Sequence, residues 1–140
     1  ALRKSLSESS EDAAVLRKTG SLHKALGDFA GALNLYKQAL VKEPGNKALL
    51  MDVAVVSAEF GDYGTALSSL ERIKAIEPDN PDVYYNIACL YARQDKTREA
   101  VDWLETAVRK GFRNWDLARS DSDLDSIRGT GYYRKLMVEE

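Results

Sequence analysis

The chain has one cysteine, Cys89, and one histidine, His23, among its 140 residues. An internal disulfide is therefore excluded, and a zinc site or a Cys-His nucleophile pair lacks partners at useful spacing. Only three prolines and nine glycines occur, and charges of both signs are interspersed, a composition that argues against disorder. No apolar run approaches the roughly 20 residues that span a bilayer, so no membrane insertion is expected. A net charge of -2 gives no electrostatic ground for a nucleic-acid partner. The chain opens at Ala1 with no apolar signal-like stretch, which fits either a piece of a longer protein or a processed one. Its compartment stays open, with a cytoplasmic address as the default expectation. What is present, 44% hydrophobic and 30% charged residues, describes one soluble domain able to bury a core.

Laid against itself, the sequence repeats. Ala32, Ala66 and Ala100 stand 34 residues apart, in GDFAGALNLY, GDYGTALSSL and DKTREAVDWL. Pro44 and Pro78 keep the same interval, and so do Gly20, Ala54 and Ala88. Within each period, apolar residues recur at helical intervals on two segments separated by a Gly-Asp or Asp-Lys break, the pattern of an antiparallel helix pair. The spacing predicts helices over about 12–26 and 29–42, 47–60 and 63–76, and 81–94 and 97–110. Pro81 suits the first turn of a helix, where its missing N–H costs nothing.

A 34-residue helical period with small residues at fixed places resembles the tetratricopeptide repeat, over residues 13–112. Leu16, Gly20, Ala32, Tyr36, Ala39 and Pro44 carry the likeness in the first repeat, although Thr19 and His23 replace a large apolar and an aromatic residue. In the second, Leu50, Val53, Ala54, Ala66, Leu70 and Pro78 fit, with Ile73 at a usual alanine. Tyr84, Ile87, Ala88, Tyr91, Ala100, Leu104 and Ala107 fit in the third. The resemblance implies an all-α fold, a right-handed alpha-alpha superhelix of three antiparallel helix pairs with short capping helices. Repeats fall at about 13–46, 47–80 and 81–112, after a flexible segment over 1–11 and before a cap over 113–140. In the cap, Phe112, Trp115, Leu117, Leu124, Ile127, Tyr132, Tyr133 and Leu136 are expected to cover the last repeat's apolar face.

Three stretches of the chain imitate chemical motifs. Asp121, Asp123 and Asp125 resemble the start of a calcium loop, but Ser126 replaces its glycine and Tyr132 its bidentate glutamate, so helix capping is the better reading. The K-T-G and S-x-x-K strings at Lys18–Lys24 overlap on one helix and cannot converge on a substrate from separate elements. Gly129-Thr130-Gly131 follows no strand and reads as a turn. His23 is expected to be packed in the core. No cofactor, metal or catalytic residue is expected.

The resemblance places function on a concave face lined by the first helix of each pair. There the register puts Ala14, Arg17, Lys18, Ser21 and Lys24, then Met51, Asp52, Val55 and Glu59, then Asp82, Tyr85, Asn86, Cys89 and Arg93. A basic first repeat beside apolar anchors suits a short amphipathic partner peptide carrying a carboxylate. One subgroup of the family clamps chaperone C-terminal carboxylates. The matching positions here hold Arg17, Ser21, Asp52, Asp82 and Asn86, and two carboxylates would repel such a tail. The alternative is a rigid spacer or self-association module of a larger protein, with a homo-oligomer as one form. An enzyme fragment would need a pocket of perturbed ionisable groups that the sequence does not display.

Overall fold

The helix ends follow from local chemistry at each break. In a computed structural model of the protein, the backbone is described for residues 2–138 and side chains for 11–131 and 133–137. The paired helices are α1 (Leu2–Ala25) with α2 (Phe29–Lys42), α3 (Lys47–Phe60) with α4 (Tyr63–Ile76), and α5 (Pro81–Arg93) with α6 (Thr97–Arg109). Gly27 and Gly61 reverse the chain at φ 82° and 90°, a region open to glycine without steric cost. Asp95 takes the corresponding turn in the third pair at φ 59°, which aspartate tolerates better than most residues. Asp28, Asn46 and Asn80 each accept a hydrogen bond from a backbone N–H in the first turn of the next helix, starting α2, α3 and α5. Asp62 does the same for α4 through the Thr65 N–H. No strand occurs among the described residues.

The backbone is helical over residues 2–11 as well, ahead of the start near residue 12 that the spacing predicts. This stretch contains neither glycine nor proline to stop a helix.

The chain divides into two compact units, Ala1–Ile76 and Glu77–Glu140. In the first, small side chains let the helices of each pair approach. Ala32, Ala54 and Ala66 are buried, and a Cβ added to Gly20 would lie 2.9 Å from a ring carbon of Tyr36. Tyr36 and Ala39 of α2 and Leu49, Leu50, Val53 and Val56 of α3 fill the interior. His23 departs from the expected core position. It is half-exposed, and its Nδ1 lies 2.8 Å from Oδ2 of Asp28, so the imidazole braces the α2 cap.

In the second unit, α5 and α6 pack through Ala88, Ala100, Leu104 and Ala107. The cap is built from α7 (Trp115–Ser120), a 3-10 turn at Ser122–Leu124, α8 (Asp125–Arg128) and α9 (Gly131–Val138). Phe112, Leu124, Ile127, Tyr133 and Leu136 are buried in that core, as a cover for the last pair requires, and Trp115 is half-buried. Leu117 is exposed instead, because α7 turns Ala118 inward. The side chain of Tyr132 lies outside the described residues.

Candidate protein-binding site

In the first unit, the expected partner-facing residues of α1 and α3 surround an open recess. Its walls are Ser21, Lys24 and Ala25 of α1, Tyr36 and Phe29 of α2, and Asp52 and Glu59 of α3, around a volume of about 420 Å³. Tyr36 is buried by the close approach at Gly20, and its hydroxyl lies 2.8 Å from the Ser21 hydroxyl. Lys24 and Glu59 bring opposite charges to the wall. Beside the recess, Arg17 Nε donates to Asp52 Oδ2 at 2.6 Å, joining α1 to α3. That bond raises the guanidinium pKa above its ordinary value and takes up the charge that a ligand carboxylate would have used. Lys18 and Val55 are exposed, and Met51 is half-buried. Phe29, Ala25 and Tyr36 were not anticipated on this face. The period marks Tyr36 as core, and so it is: at 1% exposure it backs the recess from within, its hydroxyl bonded to Ser21.

In the second unit, the cap lies across the matching side of α5. Tyr85 stacks flat on Phe112, with ring centroids 4.5 Å apart, and donates its hydroxyl proton to Asp121 Oδ2 at 2.7 Å. Cys89 Sγ is 3.8 Å from the same oxygen. Arg93 Nε stands 3.7 Å from Asp123, and Ser126 Oγ donates to the Ala92 carbonyl. Tyr85 and Cys89 are buried, which corrects their expected availability to a partner: the protein's own acidic turn occupies them. Asp82 remains exposed and Asn86 half-buried.

Cys89, Asp121 and Asp123 bring one potential ligand atom each within 4.8 Å of one another. Burial pushes the Cys89 thiol well above its usual range, with Asp121 adding to the shift, so the metal-binding thiolate is disfavoured. Tyr85 and Arg93 already engage the two carboxylates, and the cluster acts as a docking contact between α5 and the cap. Asp121 also accepts from the Asp123 N–H and so caps the 3-10 turn. Asp125 pairs with Arg128.

Helix pairs on a 34-residue period, with small residues at the crossings, are matched by two family models described as tetratricopeptide repeat, over residues 17–81 and 57–119. The chain belongs to the tetratricopeptide repeat family. Over 131 residues it is 27% identical to cellulose synthase operon protein C of Pseudomonas fluorescens strain SBW25, covering 94% of this chain and 10% of that protein. It is 29% identical over 89 residues to rhomboid protease GluP of Bacillus subtilis strain 168, covering 64% of this chain and 17% of the relative. The chain thus spans less than a fifth of either relative. Among solved structures, the first TPR of Spaghetti (RPAP3) bound to HSP90 peptide SRMEEVD superposes with a TM-score of 0.64 at 18% identity, covering 93% of this chain and 94% of that one. The Sgt2 TPR domain of Aspergillus fumigatus does so at 0.62 and 16% identity, covering 91% and 78%. At such identities the likeness shows the fold, an all-α tetratricopeptide solenoid type. Domains of this family are protein–protein interaction modules and are generally non-catalytic. Among the described residues no helix is long and apolar enough to cross a membrane.

Proposed function

We propose that this tetratricopeptide domain binds a peptide segment of a protein partner on the α1 and α3 face of its first unit. The observation that carries the reading is the open recess between Ser21, Lys24, Tyr36 and Glu59, set against an α5 whose matching residues are already covered. An apolar side chain of the partner enters against Phe29 and Ala25. Lys24 and Glu59 favour charges of both signs beside it, and Val55 and Met51 extend the contact. A chaperone C-terminal carboxylate is disfavoured, because Arg17 is held by Asp52.

The test begins with peptides selected from a random library on the wild-type protein. Their dissociation constants are then measured on Lys24→Glu and Val55→Glu variants, with Arg98→Glu on the exposed surface of α6 as control and equal helicity checked by circular dichroism. Weakening of about tenfold or more at the two site variants, about 1.4 kcal/mol, with the control unchanged, supports the reading. Equal affinity for all four proteins removes it.

A further inference from the structure

The internal repeat provides its own reference for what each position should bury. Val15 and Leu22, seven residues apart on one side of α1, are 63% and 60% exposed. One period later the same places are Leu49 and Val56 of α3, which are 1% and 0% exposed, and α3 packs against α2. Two periods later they are Val83 and Leu90, again buried. The first repeat therefore keeps the apolar residues of a helix-stacking face but exposes them. A solvated helix face has no physical need of Val and Leu at those places.

The period also continues upstream. Leu2, Leu6 and Asp12 precede Tyr36, Leu40 and Asn46 by 34 residues, and Asn46 is the residue that caps α3. Residues 2–8 thus stand in register with the end of a second helix, and Asp12 with a cap.

We propose that the outer face of α1 seats the second helix of a further repeat lying upstream in the same polypeptide, as α3 seats α2. The occupant is an amphipathic helix with large apolar residues seven apart, like Leu33 and Leu40 of α2, which are both buried. Seating it requires residues 9–11 to leave the helix for a turn, as residues 43–45 do one period later. This surface is separate from the recess and does not depend on peptide binding there.

The experiment places a second copy of residues 13–46 immediately before residue 13 in place of residues 1–12, so that the period is kept. This extended chain and the 140-residue protein are melted with and without Val15→Lys/Leu22→Lys in the original first repeat. The extended chain is expected to melt about 5 °C higher. The double variant should abolish that gain while leaving the midpoint of the 140-residue protein unchanged. No gain, a gain indifferent to the variant, or an extended chain that does not fold cooperatively overturns the proposal. Sedimentation of the 140-residue protein supplies the other arm. A monomer is expected, whereas a dimer dispersed by Val15→Lys/Leu22→Lys would assign the face to a second copy and overturn the upstream reading.

Discussion

Val55 and Cys89 hold the same place in successive repeats, as do Met51 and Tyr85, yet their surroundings are opposite. Val55 is 37% exposed and Met51 half-buried, whereas Cys89 and Tyr85 are 6% and 4% exposed. The difference lies in the segment attached after the last helix pair. The cap that covers the apolar side of α5 and α6 also carries Asp121 and Asp123 to the polar side of α5. A repeat position therefore defines a direction on a helix, and whether that direction meets solvent depends on segments outside the repeat.

The comparison breaks most completely if the cap is loosened. Leu124 is fully buried between α5, α6 and the cap, and Leu124→Ala should cost about 2–5 kcal/mol through lost transfer energy and a cavity. It should also expose Cys89, so the thiol reacts with a disulfide reagent many times faster than in the wild type. A destabilised protein whose thiol stays slow would mean that the cap does not control access to α5.

Packing at the crossings is where the two units should behave alike. Ala66 and Ala100 are fully buried at equivalent places, and leucine at either overpacks its pair at a cost of about 1–3 kcal/mol. Urea denaturation followed by circular dichroism checks both. A loss confined to one of them would show that the helix pairs do not share one packing register.

The polar links should differ again. Tyr85→Phe keeps the stack on Phe112 but removes the hydroxyl bond to a half-buried Asp121, for a loss of about 1–2 kcal/mol. Arg17→Ala removes an ion pair whose side chains are 45% and 24% exposed, and screening by water limits its loss to below about 1 kcal/mol. Equal losses in parallel melts would mean that the cap contact is as solvated as the α1–α3 pair.

The helix pairs were legible because their punctuation is local. The ends of α2, α3 and α4 fall where a Gly-Asp break, an asparagine cap or a proline turn sets them, and α5 and α6 each end one residue earlier than the spacing predicts. Tertiary choices were not legible. The burial of Tyr85 and Cys89 depends on the path of a cap whose sequence has no internal repeat to compare. The exposure of Leu117 depends on which way a six-residue helix rolls onto its neighbours. His23 occupies an aromatic place in the register, but a carboxylate five residues on draws its imidazole to the surface. The recess escaped notice because periodicity assigns each residue a side of its helix but does not say how far apart Lys24, Phe29 and Glu59 stand.

Acid should separate the two units with the smallest effect and with opposite signs. The bond from His23, and then the one from the Gly31 N–H, hold the Asp28 carboxyl below its ordinary 3.8. Its contribution is present above that value and lost as pH falls through the lower folded pKa. Asp123 is raised above 3.8, mainly by burial and next by Asp121, against the opposing pull of Arg93. Its contribution is complete below 3.8 and lost as pH rises through the folded value. Both tryptophans, Trp103 and Trp115, lie in the second unit, so their fluorescence follows that unit alone. Between pH 6 and pH 4 its urea midpoint should carry a small stabilising increment that Asp123→Asn removes. Over the same interval exchange protection of the Gly31 amide should hold, and weaken only below pH 3.8 as Asp28 takes its proton. An increment that survives in Asp123→Asn would place the acid response outside the cap contact and leave this half-buried carboxylate without a part in it.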